Sequence, residues 1–221
     1  MRIRKSEERG SHSSDWLEAK HSFSFSTYMD PEWMQFGGLR VLNEDRISAG
    51  SGFPMHPHND MEIITIMLSG ELRHRDSMGH EKSIRAGEVQ AMTAGKGIMH
   101  SEWNPSQETA HLFQMWIRPE REGLAPAYDQ FKPEEGKIQT LASGHGAGLK
   151  INAAAEVQRV RLNKGEEYFS EKHLKTYLHL VKGLLSAGIN ELRPGDAALL
   201  DAEKVKFTAA KESEVIIVKM D

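Results

Sequence analysis

The sequence predicts an all-β protein built from two similar β units, and three observations lead to this prediction. Short segments of β character recur through most of the 221 residues, turn residues separate them, and helical periodicity is scarce. Many short strands at regular spacing are typical of β-sandwiches and β-barrels. The predicted strands fall, in chain order, at residues 39–42, 62–68, 71–75, 89–92, 112–117, 157–162, 177–181 and 215–218.

The segments between these strands carry the residues that turn a chain. Turn sequences containing glycine lie at 77–79, 86–88, 93–97 and 193–196, and such clusters punctuate strands. Only two stretches, around residues 119–130 and 153–157, favour a helical turn. We therefore expect a few short helices at most.

A repeated turn pattern indicates two copies of one β unit. The sequence Arg-Ala-Gly-Glu-Val-Gln-Ala-Met at 85–92 resembles Arg-Pro-Gly-Asp-Ala-Ala-Leu-Leu at 193–200, and a second glycine precedes each of them, at Gly70 and Gly183. Similar turns at similar spacing indicate duplication, with chance similarity as the alternative. Residues 119–148 are rich in proline, glycine and charge, which is typical of a connector. We place the first unit at residues 1–130 and the second at 131–221.

The composition excludes several classes of protein and of site. The chain has 38% hydrophobic and 27% charged residues and a mean hydropathy of −0.54, values typical of a globular protein. The charged first residues and the absence of a long apolar run predict neither a secretory signal nor a membrane span, and we expect a cytoplasmic protein. A net charge of −4 argues against direct nucleic-acid binding. Because there is no cysteine, any metal must be held by histidine and carboxylate.

Two short motifs supply candidate metal ligands. His56 and His58 stand two positions apart just before a predicted strand, and His100 and Glu102 repeat this spacing later in the chain. In an extended backbone, residues two apart point to the same face. If both segments line one interior, three imidazoles and one carboxylate converge. The alternative for each pair alone is a solvated strand face.

This donor set suits a first-row divalent ion rather than Mg²⁺, which prefers oxygen ligands. Four protein ligands in an octahedral field leave two coordination positions open. Open positions beside a redox metal are what dioxygen chemistry requires. Glycines flank both pairs, at positions 50, 52, 95 and 97, and are expected to form the tight turns that aim the ligands.

The motifs resemble those of a known family. Gly50, His56, His58 and Glu62 resemble the first cupin motif, and Gly87 with His100 resembles the second. Further segments resemble signatures of one cupin branch, the pirins: 21–25 with Asp-Pro at 30–31, Leu-Arg-Val at 39–41 and Thr-Ala-Gly-Lys-Gly-Ile-Met-His-Ser-Glu at 93–102. Thr93 departs from the proline usual in cupins, and this departure is itself similar to pirins. The resemblance is specific over residues 21–118.

The resemblance implies a bicupin fold of two tandem β-barrel or jelly-roll domains, with metal in the N-terminal barrel only. Carried over by matching position, the ligands are His56, His58, His100 and Glu102, and Glu62 is a hydrogen-bonded carboxylate outside the ligand set. Fe(II) is the first candidate for the metal, with Mn, Co, Ni, Cu or Zn as alternatives. Residues of the second unit at the equivalent offsets are Phe169, Glu171, Thr208 and Ala210, and even a shift to His173 yields no ligand set.

The remaining histidines receive other interpretations. His74 and His80 flank a predicted hairpin turn and are expected to be exposed, whereas His111 begins a strand that could line or cap the first barrel. His173 and His179, in the second unit, are expected to be hydrogen-bonded polar residues.

The resemblance also implies an activity. Bacterial pirin-like proteins resemble quercetin 2,3-dioxygenases, so a flavonol and O2 are the expected substrates, with ring opening and release of carbon monoxide. Glu102 is the candidate catalytic residue, as acceptor of the flavonol proton. The alternative is a non-enzymatic, redox-sensing metal protein that regulates protein partners. A monomer is the family-like expectation.

Overall fold

The computed structural model describes residues 1–221 and is almost entirely β. The chain forms 22 strands, and its one helical element is a 3-10 turn at Ser6–Glu8. It divides into two compact units. The N-terminal unit comprises Gly10–Pro133 and Leu149–Ala153, and the C-terminal unit comprises Met1–Arg9, Glu134–Gly148 and Ala154–Asp221.

The N-terminal unit contains two antiparallel sheets. Its strands are β2 (Gly10–Ser13), β3 (Leu17–His21), β4 (Leu39–Ile47), β5 (Gly52–His58), β6 (Glu62–Ser69), β7 (Glu71–Asp76), β8 (Glu81–Arg85), β9 (Val89–Thr93), β10 (Ile98–Trp103), β11 (Ala110–Ile117), β12 (Ala127–Phe131) and the short β14 (Leu149–Lys150). The larger sheet has the order β12-β9-β6-β11-β4-β3-β2, the smaller has the order β5-β10-β7-β8, and the short β14 belongs to neither of them.

Apolar side chains from both sheets form the core of this unit. Leu17, Ile47 and Met67 of the larger sheet pack with Leu72 and Ile84 of the smaller. The inward positions alternate along β7, which buries every second residue, as a half-buried strand requires. The unit is therefore a sandwich of two sheets, and neither sheet closes on itself.

The C-terminal unit repeats this plan. Its strands are β1 (Arg2–Arg4), β13 (Ile138–Ser143), β15 (Ala155–Leu162), β16 (Glu167–Phe169), β17 (Lys175–Lys182), β18 (Leu185–Ala187), β19 (Asn190–Leu192), β20 (Ala197–Asp201), β21 (Lys206–Ala209) and β22 (Ser213–Met220). The strands of this unit follow the order β1-β20-β17-β22-β15-β13 in one sheet and β16-β21-β18-β19 in the other. Its core draws on both sheets, with Leu178 and Ile217 packing against Leu185 and Phe207.

The all-β, two-unit prediction is confirmed, but both predicted helical turns are wrong. Ala127–Phe131 forms strand β12, which hydrogen-bonds to β9 along the edge of the larger sheet. Ala155–Leu162 forms strand β15, which pairs on one side with β13 and on the other with β22. Pairing with neighbouring strands overrides the weak local preference for helix.

The division of the chain also differs from the predicted boundary between residues 130 and 131. The first nine residues belong to the C-terminal unit, because β1 pairs with β20 and Ile3 packs against the core of that unit. Residues 149–153 belong to the N-terminal unit, where Asn152 hydrogen-bonds to Glu62 and Thr93. A linker read from composition cannot show that a strand from the far terminus completes a sheet.

Candidate metal centre

Strands β5 and β10 bring the two predicted ligand pairs together. They are antiparallel neighbours in the smaller sheet, and His56 lies directly opposite His100 in their register. The register shifts between His100 and Glu102, as it does at a β-bulge, which re-aims side chains. Gly52 allows the close approach of the strands, because a Cβ atom there would lie 2.1 Å from the carbonyl oxygen of Glu102.

Three histidines form one tight cluster. The ligand atoms of His56, His58 and His100 all lie within 4.8 Å of one another. The Nε2 atoms of His56 and His100 are 3.0 Å apart. The Nε2 atom of His58 is buried and has no hydrogen-bond partner, a costly state for a polar atom unless it serves as a ligand.

Glu102 lies beside this cluster in a buried amide pocket. Glu102 is only 2% exposed. The Nε2 amide of Gln90 donates to Oε1 at 3.3 Å, and that of Gln114 donates to Oε2 at 2.8 Å. Glu102 belongs to a second close group of donors with His74 and His100, so His100 is common to both groups. The two amides fix the carboxylate in one orientation.

The expectation that His74 is exposed is wrong. Its side chain is 0% exposed, and its Nδ1 atom lies 3.3 Å from Nδ1 of His100. The reason is the alternation of β7, which turns Leu72, His74 and Asp76 inward. The period-two pattern of Leu-Arg-His-Arg-Asp, counted from Leu72, was the signal that could have found it.

His80 and His111 lie outside the cluster. His80 is 39% exposed at its side chain and bonds to Asp76 through Nδ1 at 2.9 Å. The Nε2 atom of His111 lies 3.0 Å from Glu44. Neither belongs to a group of close metal-binding donors.

Glu62 is held apart from the histidines by its own hydrogen bonds. The hydroxyl of Thr93 donates to Oε2 at 2.9 Å, and the amide of Asn152 donates to Oε1 at 3.3 Å. Burial raises the pKa of this carboxyl, and the bonds from Thr93 and Asn152 offset part of that rise. Its position agrees with the expected role of a hydrogen-bonded carboxylate outside the ligand set, which stays a prediction.

The cluster disfavours protonation of its own histidines. Burial, together with the neighbouring His100 and His56, lowers the pKa of His58 to about 4, although Glu102 acts in the opposite direction. Burial, His56 and His74 lower the pKa of His100 to about 3. Both rings are therefore neutral at physiological pH, and the neutral imidazole is the form that binds metals.

We expect the metal-free protein to lose stability as the pH falls below about 6.5. Both folded-state pKa values lie below the ordinary value of 6.5, so between pH 6.5 and 4 the unfolded chain binds protons that the folded chain does not. For each unit by which the pH is lowered in this range, the free energy of unfolding should fall by at most about 1.4 kcal/mol per histidine. Urea denaturation at about pH 7 and about pH 5 measures this loss.

The control is the double substitution His58→Gln with His100→Gln, which removes both groups. The difference in unfolding free energy between the two pH values should then shrink. An unchanged difference would show that other residues cause the acid sensitivity.

An apolar cavity adjoins the cluster. Its volume is about 300 Å³, and its lining includes His56, His58 and Glu102. Apolar side chains form most of the remaining wall, namely Leu17, Ala19, Phe25, Phe53, Pro54 and Trp116. The ring of Trp116 meets that of His58 edge-on at 4.8 Å, and the ring of Phe25 meets that of Trp116 at 5.3 Å. An apolar cleft with a few convergent polar groups is the usual form of a small-molecule site.

Comparison with known proteins shows the family to which this chain belongs. Residues 2–117 match the pirin family, and residues 140–220 match the quercetinase C-terminal cupin domain. A quercetin 2,3-dioxygenase of Escherichia coli (strain K12) is 40% identical, with 97% of this chain and 96% of the relative covered. A pirin-like protein of Caulobacter vibrioides is also 40% identical, with 92% of each chain covered.

A solved structure shows the same fold. The crystal structure of the bacterial pirin YhhW from Escherichia coli in complex with nickel(II) has a TM-score of 0.94 and 38% sequence identity, and the match covers 99% of this chain and 98% of that chain. The one helical element of the chain, the 3-10 turn at Ser6–Glu8, is too short to span a membrane. The matches over both units, with the three-histidine cluster of the first unit, establish that this chain is a member of the pirin family with bicupin architecture.

Proposed function

We propose that this protein is a metal-dependent dioxygenase that opens the ring of quercetin-like flavonols with O2 and releases carbon monoxide. The observation that carries the proposal is the apolar cavity whose wall includes His56, His58 and Glu102. This juxtaposition gives a flat aromatic substrate access to a metal-binding cluster.

The donor atoms fit a divalent transition metal. Two nitrogens bound to one ion at about 2.1 Å and about 90° apart lie about 3.0 Å from each other. The Nε2 atoms of His56 and His100 have that separation. The unpartnered Nε2 of His58 supplies a third donor, and we assign the fourth to Glu102. Fe(II) is our first candidate, and Mn, Co, Ni, Cu and Zn accept the same donors.

The bound metal would supply Lewis acidity and redox chemistry, which lower the pKa of a substrate hydroxyl and activate O2. The chain supplies the proton acceptor. A carboxylate oxygen of Glu102 takes up the proton of the flavonol hydroxyl. Gln90 and Gln114 hold that carboxylate in place by donating to its two oxygens.

The cavity wall orients the substrate and limits the access of water. Phe25, Phe53 and Trp116 present aromatic surface, which suits the flat rings of a flavonol. Exclusion of water strengthens the electrostatic interactions of the site. The substrate is therefore expected to lie with its hydroxyl toward the histidines and its rings along the aromatic wall.

The relatives support the same activity. The Escherichia coli relative is named quercetin 2,3-dioxygenase, and the similar crystal structure is a complex with nickel(II). We transfer the activity and the metal binding to this chain as a proposal on these grounds.

An aerobic assay of the metal-loaded protein tests the proposal. Protein loaded with Fe(II) without oxygen, then mixed with quercetin in air, should bleach the flavonol absorbance, with one carbon monoxide released per flavonol consumed. Protein stripped of metal by a chelator is the control. Unchanged flavonol at full metal occupancy would overturn the proposal and favour the regulatory alternative.

A further inference from the structure

We propose that Asp76 and His74 are positioning residues that fix the tautomer of His100, so that its Nε2 lone pair is directed to the metal. This inference rests on the metal-binding part of the proposed function and not on the identity of the substrate. It assigns a role to two buried side chains that are not themselves among the proposed ligands.

Asp76, His74 and His100 form a hydrogen-bonded chain, which we call the relay, and Asp76 is its outer end. Its Oδ1 accepts hydrogen bonds from the backbone N–H groups of Met78 and His80, at 2.9 and 3.1 Å. Its Oδ2 lies 3.0 Å from Nε2 of His74 and 2.9 Å from Nδ1 of His80. Burial favours a higher pKa for this carboxyl, but the bonds from His74, His80 and the backbone outweigh it and leave the pKa below its usual range. Asp76 is an anion that only accepts.

The direction of each hydrogen bond follows from that anion. Because Oδ2 of Asp76 can only accept, the facing Nε2 of His74 carries the proton. In the form that carries only this one proton, the lone pair of His74 is on Nδ1, which lies 3.3 Å from Nδ1 of His100. His100 therefore donates through Nδ1–H, and its own lone pair is on Nε2.

The tautomer of His56, on the opposite side of the cluster, follows from the same reasoning. The Nδ1 atom of His56 lies 2.7 Å from the carbonyl oxygen of Pro54. A carbonyl oxygen only accepts, so this nitrogen is N–H, and in the form with a single proton the lone pair of His56 is on Nε2. The Nε2 lone pairs of His56 and His100 thus face each other at 3.0 Å. Two facing lone pairs repel unless a cation lies between them.

Packing holds the relay in place. His74 is fully buried, and the ring of Tyr128 stacks on it at a centroid distance of 4.5 Å. The hydroxyl of Tyr128 donates to Gln130 at 2.7 Å, which fixes the tyrosine in turn. A ligating histidine whose second nitrogen bonds an outer partner has its orientation and basicity set by that partner. Here the partner is a second histidine oriented by a carboxylate.

Three substitutions separate this role from simple packing. His74→Leu removes the acceptor for His100, whereas His74→Gln keeps an acceptor in the amide oxygen. In Asp76→Asn, the two backbone N–H groups bind the amide oxygen, so the amide nitrogen faces His74 and donates to it. His74 must then carry its proton on Nδ1, where it faces the Nδ1 proton of His100 and can no longer accept a hydrogen bond from it. His111→Gln, which alters a histidine outside the cluster, is the matched control.

The experiment measures nickel(II) affinity by competition with a chelating dye, and imidazole tautomers in the metal-free protein by long-range nitrogen–proton NMR of labelled histidine. We expect His100 to be the Nδ1–H tautomer and His74 the Nε2–H tautomer. His74→Leu and Asp76→Asn should weaken nickel binding by about 10–100-fold, the usual effect of losing an outer partner. His74→Gln should restore most of the affinity lost in His74→Leu, and His111→Gln should leave it unchanged.

Three results would overturn the inference. One is an Nε2–H tautomer for His100 in the unsubstituted protein. Another is equal nickel affinity in the folded His74→Leu variant and the unsubstituted protein. An equal loss in His74→Gln and His74→Leu would likewise refute positioning and indicate that His74 acts through packing or as a ligand. These assays use nickel(II) and no flavonol. Failure of this inference can therefore be told apart from failure of the proposed dioxygenase activity.

Discussion

Replacement of His100 with alanine should remove the metal from the protein. His100 belongs to both groups of close donors, and its Nε2 lies 3.0 Å from that of His56. Its loss leaves two imidazoles of the cluster, so the affinity should fall by more than the roughly 100-fold typical of an outer partner. Elemental analysis should give about one metal per unsubstituted chain and background metal in the variant.

The control for this prediction is His111→Ala. It removes an imidazole of the same unit that bonds to Glu44 instead of to the cluster. Circular dichroism of both variants checks that the sheets are intact. A folded His100→Ala protein with full metal content would show that the ligand assignment is wrong.

Glu102→Gln should reduce flavonol turnover by about 10²–10⁴-fold, the usual contribution of a general base. The substitution removes the proton acceptor and the negative charge of the donor set. It also places an amide N–H group against the donor amides of Gln90 or Gln114. The decay of flavonol absorbance per metal ion measures the loss, because normalisation to bound metal separates proton transfer from metal affinity.

Glu62→Gln is the matched control, because Glu62 is also a fully buried glutamate of the same unit. Its partners are Thr93 and Asn152. We expect turnover per metal to change little in this variant. If both substitutions lowered turnover per metal equally, Glu102 would have no special role as the base.

Much of this fold and the centre of the site follow from local sequence patterns. Strand periodicity and glycine turns are encoded within a few residues, so the all-β prediction holds. The His-x-His and His-x-Glu pairs point to one face of each strand by backbone geometry alone. That β5 and β10 are neighbours with His56 opposite His100 is a long-range fact, and only the family resemblance anticipated it.

The remaining features depend on tertiary pairing. His74 looked like an exposed hairpin residue, yet the inner face of β7 buries it beneath Tyr128. The neutral amides of Gln90 and Gln114 carry no spacing signal, although they hold Glu102. The strand at Arg2–Arg4 joins a sheet whose other strands lie more than a hundred residues away in sequence. None of these relations is encoded locally.

The central claim is that one metal ion binds where His56, His58, His100 and Glu102 meet, and its most direct test is an anomalous difference map from crystals grown with nickel(II). We expect a single strong peak in the N-terminal unit, within bonding distance of the Nε2 atoms of the three histidines and of a carboxylate oxygen of Glu102. A peak bound instead by His74, or no peak among these histidines at full nickel occupancy, would contradict it.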